Sequence, residues 1–489
     1  MSELPEGWEI STIEELCILN PKHDKDLDDE LEVSFIPMPA VSGISGNILE
    51  HHSRPLSEIR TGYTHFQNQD VLFAKITPCM ENGKAAVAEN LVNDIGCGST
   101  EFFVLRSWGA LPPRLLHRYV RQASFRNEAR RNMAGAVGHA RVPKDYLLSQ
   151  KLPVPPAKEQ KRIVTKLETC EARIDAAREA LSDVPKLLEH YRKSVLAAAF
   201  RGHLTSNWRT QHPDAEPAEK LLQRLRDERR QRWEQAELEK FEAKGKAPPK
   251  NWKQKYKAPQ PLTEAQLNEL PELPEGWCWA NWAEIAEVAQ NLVSPLDYPN
   301  APHIAPDNIE KETGRILTYN SVAKDKVKSN KNHFYPGQIL YSKIRPYLNK
   351  CVCVDFEGLA SADVYPINSH ISRTFLHAYM LSPKFLKAVQ ESAGNRVVLP
   401  KVNQAQLGVV PVPVPSTKEQ VEISRILQKH TRLLEAQVLA SDETKEELET
   451  LTQSLLAKAF RGELVPQDPN DEPASKLLER ITKAREAEE

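Results

Sequence analysis

The feature that most constrains this chain is a long segment that occurs twice with the same length. The first copy begins with the sequence PVPPAKEQ at Pro153 and ends with AFRG at Gly202. The second copy begins with PVPSTKEQ at Pro413 and ends with AFRG at Gly462. The two ends are equally far apart in both copies, so nothing has been inserted or deleted between them. We infer that the length of the segment is itself the constrained property.

Each copy carries the apolar pattern of a coiled coil, with steps that alternate between four and three residues. The pattern predicts one long helix per copy, about 65 Å long at a rise of 1.5 Å per residue. Pro156 and Pro415 stand just before the predicted helices, and Gly202 and Gly462 stand where a terminating glycine belongs. Pro185 lies inside the first helix, where we expect a kink but no break because the pattern continues across it.

Neither helix is expected to be stable alone, so the two are predicted to pack against each other. The chain builds a globular segment between them, which makes the predicted pair antiparallel. A simple helical hairpin is the plainer interpretation, while the duplicated ends and equal length favour a spacer between two globular units. The packing residues that we expect are Ile163, Leu167, Ile174, Leu181, Leu188 and Phe200 in the first helix and Ile423, Leu427, Leu434, Leu448, Leu455 and Phe460 in the second.

The segments that precede the two helices also begin alike, with LPEGW at Leu4–Trp8 and again at Leu273–Trp277. Each continues into a short capped helix and then into short strands broken by glycine and proline. Residues 70–78, a predicted strand and the loop after it, align with residues 338–346. The repeat unit is therefore a whole domain followed by a whole helix.

Further along, residues 99–105 align with 361–367, and helices are predicted over 115–133 and 374–393. These elements predict an α+β fold, with two globular mixed α/β domains joined by two long antiparallel coiled-coil helices in a pseudo-twofold internal repeat. The predicted boundaries are 1–155 for the first domain, 156–222 for the first long helix with a short trailing helix, 223–270 for a charged insertion, 271–414 for the second domain, and 415–489 for the second long helix with a C-terminal short helix.

The charge balance limits how this chain could bind nucleic acid. Its 489 residues hold 65 Lys and Arg against 67 Asp and Glu, a net charge of −2, so a nucleic-acid contact has to come from local patches or partner subunits. The insertion could be a basic arm on DNA, but its mixed charge favours a solvated linker. Seven scattered cysteines and the absence of a leader or membrane-length apolar run predict a cytoplasmic protein.

The doubled LPEGW, the doubled proline-rich lead into KEQ, the doubled AFRG and the two dissimilar domains between them resemble the specificity subunit of a Type I restriction–modification enzyme. The resemblance spans essentially the whole chain. It implies two target-recognition domains, each reading one half of a split site in double-stranded DNA, and helices that fix the gap and bind two methyltransferase subunits. It also implies restriction endonuclease subunits, with S-adenosylmethionine on the methyltransferase and ATP and Mg²⁺ on the restriction partner, and no cofactor in this chain.

Catalytic motifs are missing from the sequence, which agrees with a recognition subunit that is not an enzyme. Gly83-Lys84 and Gly245-Lys246 are each followed by alanine, so neither is a phosphate-binding loop. Asn20-Pro21-Lys22 lacks the aromatic residue of an adenine-methyltransferase motif. Cys351 and Cys353 have no second pair at zinc spacing, so we interpret them as strand residues and predict no metal site.

If the resemblance holds, base identity is read by polar and cationic side chains in the major groove. The candidates lie on loops, and each could equally be an ordinary surface charge. They are Lys75, Thr77, His139, Arg141 and Lys144 in the first domain and Lys343, Arg345, Tyr347, Asn395, Arg396 and Lys401 in the second.

Two other functions remain open at this point. One is a non-catalytic coiled-coil scaffold without DNA sequence specificity, which the near-neutral charge favours and the doubled domains do not. The other is a mimic of a specificity subunit, whose surface should be far more acidic.

Overall fold

In a computed structural model that describes residues 4–136, 138–393 and 400–488, the two predicted long helices span Ala157–Ala199 and Thr417–Phe460. They contain 43 and 44 residues. The first helix runs on through Pro185, as the sequence predicts. Glu419 donates its backbone N–H to the Ser416 hydroxyl at the start of the second helix, which satisfies one of the free amides there.

Both long helices end in the same glycine motif. Gly202 and Gly462 have φ angles of 74° and 73°, a left-handed conformation that costs glycine little. The next amide closes the motif, because His203 donates to the Ala198 carbonyl at 3.0 Å. The second copy repeats this bond from Glu463 at 2.9 Å. The glycines therefore terminate the helices in the way that the sequence predicts.

The long helices pack against each other in antiparallel orientation. Arg178 of the first helix donates to the Glu449 carboxylate of the second at 3.0 Å. Further along the first helix, the Tyr191 hydroxyl lies 2.8 Å from Nδ1 of His430, which is earlier in the second helix. As the residue number rises in one helix it falls in the other, so the predicted orientation is confirmed.

The predicted packing positions are buried mainly toward the ends of the two helices. Halfway along, the corresponding leucines are only half-buried. Those that are almost inaccessible are Ile163, Leu167, Ile174, Phe200, Ile423, Leu427 and Phe460, and those that are half-buried are Leu181, Leu188, Leu434, Leu448 and Leu455.

The chain divides into two compact units, and each contains parts of both long helices. The first unit combines residues 1–183 with 440–489, and the second covers 184–439. Each unit thus holds one globular domain, the start of the helix that follows that domain, and the end of the other long helix.

The first unit contains two four-stranded sheets and one two-stranded ribbon. One sheet is antiparallel, in the order Cys17–Leu19, Phe102–Ser107, Val71–Ala74, Ala85–Val87. The other has the order His52–Pro55, Glu32–Ile36, Ile95–Gly98, Thr64–Gln67, with its central pair parallel, and the ribbon pairs Glu9–Thr12 with Lys151–Val154. Its helices, besides the shared long ones, are Ile13–Leu16, Leu56–Ile59, Pro113–Arg121, Ala123–Arg131, Lys144–Leu148 and Ala474–Glu488, with 3₁₀ turns at Met38–Ala40 and Val92–Asp94.

The second unit repeats this arrangement. Its antiparallel sheet has the order Ala286–Val288, Val364–Ser369, Ile339–Ser342, Cys351–Cys353, and its ribbon pairs Cys278–Asn281 with Pro411–Val414. The other sheet has the order Leu292–Val293, Lys331–Phe334, Gly358–Ala360, Pro302–Ile304, Asn320–Ser321, with one parallel pair. Its other helices are Ser206–Gln211, Ala218–Ala243, Glu264–Asn268, Trp282–Ile285, Arg373–Met380, Pro383–Ala393 and Gln404–Gly408, with 3₁₀ turns at Trp252–Lys255, Pro295–Asp297, Pro306–Asn308 and Pro346–Leu348.

The predicted α+β class with a pseudo-twofold repeat is therefore confirmed, with differences in detail. The single helices predicted over 115–133 and 374–393 are each two helices. Gln122 interrupts the first with φ −59° and ψ 138°, and Pro383 starts a new helix in the second. Proline cannot donate the hydrogen bond that would continue the preceding helix.

The charged insertion is more ordered than the solvated linker that the sequence favours. After the helix Ala218–Ala243, the chain folds back and buries Trp252. The Trp252 ring stacks on that of Trp233, with centroids 5.8 Å apart, and Tyr256 packs against Trp233 at 5.3 Å. Aromatic burial among so many charges gives the segment a small apolar cluster.

Cys351 and Cys353 form a strand, as predicted. All seven cysteines are free thiols. Across 4–136, 138–393 and 400–488, no helix has the length and apolarity needed to cross a membrane.

Candidate nucleic-acid interface

In the first unit, the loop after the central strand Val71–Ala74 lies against the segment around Arg141. The Thr77 N–H donates to the Ala140 carbonyl at 3.0 Å, and the Val142 N–H donates to the Lys75 carbonyl at 2.9 Å. His139 is exposed beside Arg141. The structure thus brings together two pairs of residues predicted to contact DNA, Lys75 with Thr77 and His139 with Arg141, which lie more than sixty positions apart in sequence.

Glu101 organises the charges at this place. The Arg141 guanidinium donates to both Glu101 oxygens, from Nε at 2.9 Å and from Nη2 at 2.6 Å. The Lys75 ammonium lies over the Phe103 ring at 5.0 Å from its centroid. The hydrogen bond from Arg141 holds the pKa of Glu101 below its ordinary value, so the carboxylate is ionised.

The second unit has the same arrangement with different side chains. The Val402 N–H donates to the Lys343 carbonyl at 2.9 Å. Asp363 lies 3.4 Å from the Lys401 ammonium and 3.9 Å from that of Lys343. The Lys343 ammonium also lies over the Tyr365 ring, 5.3 Å from its centroid. Each domain therefore presents, at the same place in the fold, a carboxylate that pairs with a cation and a nearby lysine that lies over an aromatic ring.

Other predicted residues lie around these charge clusters. Arg345 is in a left-handed conformation with φ 47°, an uncommon one for a side chain other than glycine, and it starts the turn Pro346–Leu348. Tyr347 in that turn is 47 % exposed. Lys144 is exposed at the start of its short helix. Asn395 and Arg396 lie outside the described residues.

A second set of duplicated contacts explains the motifs that mark the repeat. The indole Nε1 of Trp8 donates to the buried Glu159 carboxylate at 3.1 Å, and that of Trp277 donates to Glu419 at 2.9 Å. Burial raises the pKa of Glu159. The tryptophan of LPEGW is thus bound by the glutamate of KEQ in each unit. Glu419 also accepts from Arg209.

The ends of the long helices contact the globular domains through phenylalanine. Phe200 packs edge-on against Phe375 and Tyr379 of the second domain, at centroid distances of 5.4 and 5.0 Å. Phe460 packs against Tyr119 of the first domain at 5.4 Å. The AFRG motif of each repeat therefore belongs to the unit of the other repeat.

One potential metal-binding cluster lies in the first unit and was not predicted from the sequence. The possible ligand atoms of His23, His65 and Cys97 lie within 4.8 Å of one another. The imidazole rings are stacked, with centroids 4.4 Å apart and planes 22° apart. The in-plane lone pairs of two stacked rings lie in two separate planes, so they do not meet at one ion. Both His65 nitrogens are also hydrogen-bonded to backbone, to the His23 N–H and the Arg60 carbonyl, so this cluster does not fit a shared ion.

The comparisons with known proteins agree with the repeated site. Residues 5–184 and 275–441 both match the family described as the Type I restriction modification DNA specificity domain, which covers well over half of the chain. This chain belongs to that family. The domain occurs twice, once for each of the duplicated charge clusters.

Relatives and solved structures extend this result. The chain is 38 % identical over 347 residues to the Type I restriction enzyme EcoDI specificity subunit of Escherichia coli, with 68 % of each chain covered. It is 26 % identical over 492 residues to the EcoAI specificity subunit of the same organism, covering 88 % of this chain and 78 % of that protein. Among solved structures, the HsdS subunit of Thermoanaerobacter tengcongensis is 18 % identical, with a TM-score of 0.56 over 94 % of this chain and 98 % of that one. A chain from the complex assembly of a type I R-M system reaches 0.67 at 18 % identity, covering 95 % and 100 %.

Glu101 and Asp363, the acidic members of the clusters, are not among the residues predicted from sequence. A signal was available, because the aligned segments 99–105 and 361–367 both hold an acid at the third position. A lone carboxylate in a loop resembles any surface charge, and its cationic partner lies about forty residues further along the chain.

Proposed function

We propose that this chain is the sequence-specificity subunit of a Type I restriction–modification complex, in which each globular domain reads one half of a bipartite DNA target. The observation that carries the proposal is the duplicated cluster. In the first domain Arg141 pairs with Glu101, whose carbonyl accepts from the Lys75 N–H, and in the second Lys343 and Lys401 lie near Asp363 at the equivalent place in the fold. Two domains that carry different side chains at equivalent positions are suited to recognise different half-sites.

The chain acts without catalysis of its own in this proposal. Two methyltransferase subunits dock on the long helices and bring S-adenosylmethionine, and restriction subunits bring ATP and Mg²⁺. The exposed apolar residues along the second long helix support such docking. Val421, Leu433, Val438, Leu439 and Leu451 are between 47 and 64 % exposed. Exposed apolar side chains on a helix can be covered by a partner protein.

The experiment that tests the proposal expresses the chain with its modification subunits and maps methylated adenines across a genome. A single two-part word that disappears when this chain is omitted supports it. Methylation that does not depend on the chain, or that follows no split word, contradicts it and favours the scaffold alternative.

The long helices set the gap between the half-sites in this proposal. Their lengths of 43 and 44 residues and antiparallel packing support a fixed spacing. Inserting one heptad into each helix at facing positions adds about 10 Å at 1.5 Å per residue. Since B-DNA rises 3.4 Å per base pair, the gap should widen by about three base pairs with unchanged half-sites. Methylation mapping measures this directly, and an unchanged gap refutes the spacer.

A further inference from the structure

Glu101 and Asp363 are held at equivalent positions by the backbone of their domains. The Lys75 N–H donates to the Glu101 carbonyl at 2.9 Å, and the Lys343 N–H donates to the Asp363 carbonyl at 2.9 Å. Each acid stands just before a central strand of its antiparallel sheet. The backbone thus fixes both acids beside the loops that carry the predicted DNA contacts.

Both carboxylates keep hydrogen-bonding capacity after they have paired. The fork of Arg141 occupies one direction on each oxygen of Glu101, whereas a carboxylate offers about four acceptor positions. Asp363 is less engaged, because its nearest cation, Lys401, lies 3.4 Å away. The Glu101 and Asp363 side chains are 25 and 36 % exposed, so an incoming donor can reach them.

A carboxylate on a DNA-binding surface is repelled by phosphates and therefore contributes nothing to backbone affinity. Its useful partners on DNA are the exocyclic amino groups of adenine and cytosine, which face the major groove as donors. The neighbouring cations offset the repulsion as the duplex approaches. The first domain uses glutamate with arginine and the second uses aspartate with lysine. Because glutamate is one methylene longer than aspartate, the two carboxylates extend to different distances from the backbone.

We propose that Glu101 and Asp363 are specificity-determining residues, each accepting a hydrogen bond from the amino group of one base in its own half-site. This inference rests on the proposed function and adds to it the chemical group that each domain recognises. The remaining acceptor positions of each carboxylate make the contact, while the paired cation holds the carboxylate in place.

The test measures binding of the full chain, with its modification subunits, to duplexes that carry the mapped word. Each adenine is replaced in turn by purine, and each cytosine by a pyrimidinone, which removes one amino group at a time. The intact complex should lose roughly 5- to 100-fold in affinity at one position per half-site. Glu101→Ala, which removes the acceptor oxygens, should abolish that penalty in the first half-site only, and Asp363→Ala in the second only. The type of analogue that is penalised identifies adenine or cytosine.

Each variant contains its own control, because the half-site read by the other domain must keep its full set of penalties if the chain is folded. An unchanged penalty pattern in both variants overturns the inference. Failure of the proposed function looks different, since the unsubstituted chain would then show no two-part word at all.

Discussion

Replacing Phe460 with alanine should destabilise the first globular domain, although Phe460 ends the helix that follows the second. In the structure this ring is 8 % exposed and packs edge-on against Tyr119, and both residues belong to the first unit. The sequence repeat alone would instead predict that Phe460 packs against the second domain, which precedes its helix. The two possibilities predict damage in different parts of the chain.

The size of the effect follows from the burial of the ring. Removing a buried phenylalanine side chain costs about 3–5 kcal/mol, and the lower value applies here because Tyr119 is only half-buried. At 1.4 kcal/mol for each factor of ten, about 3 kcal/mol raises the equilibrium constant for opening of the first unit roughly a hundredfold.

Hydrogen exchange followed by mass spectrometry measures this opening by region. In the Phe460→Ala variant, peptides that cover Phe102–Ser107 and Pro113–Arg121 should exchange about a hundred times faster, and those that cover Val364–Ser369 should be unchanged. Phe200→Ala is the matched control and should give the reverse pattern. Faster exchange in the second unit for Phe460→Ala would show that Phe460 stabilises the second domain and not the first.

Three further outcomes follow from the structure. Burial lowers the pKa of His117 to about 3 and that of His377 to about 4, so both are neutral when folded. In the unfolded chain a histidine binds a proton near pH 6.5, whereas these two stay neutral in the folded chain. Below pH 6.5, each should therefore lower the free energy of unfolding by up to about 1.4 kcal/mol for every pH unit that the pH drops. Urea unfolding at pH 7 and pH 5 measures this, and an equal slope in His117→Gln would contradict it. Pro185→Ala restores a helical hydrogen bond and should slow exchange of the following amides, whereas unchanged exchange would show that this bond is already compensated. Trp277→Phe removes the donor to Glu419 and leaves a buried carboxylate with one partner fewer, so the melting temperature should fall, while Trp279→Phe, at a more exposed indole, should change it little.

The long helices and the repeat could be predicted because their signals are local. Heptad steps, a proline before each helix and a glycine after it are all read within one segment, and the structure begins and ends the helices there. The breaks within the shorter helices were missed. Glutamine is not a residue type that marks a helix break, and Pro383 lies inside the segment predicted as one helix.

The contacts that cross the repeat could not be predicted in the same way. Phe460 and Tyr119 are more than three hundred positions apart, and nothing in the sequence of either segment indicates the partner. That the insertion over 223–270 is folded, and is not an extended linker, could not be predicted for a related reason. Trp233 and Trp252 stand among so many charged residues that average polarity indicates a linker, although their rings and that of Tyr256 pack together where the chain folds back.

We infer that each domain reads its own half of one bipartite DNA sequence. The sharpest test exchanges residues 9–152 for the corresponding domain of another family member and maps methylated adenines in cells that express the hybrid with its modification subunits. We expect one half of the recognised sequence to change while the other half and the gap stay as they were. If both halves change, or neither does, the two domains do not read separate half-sites.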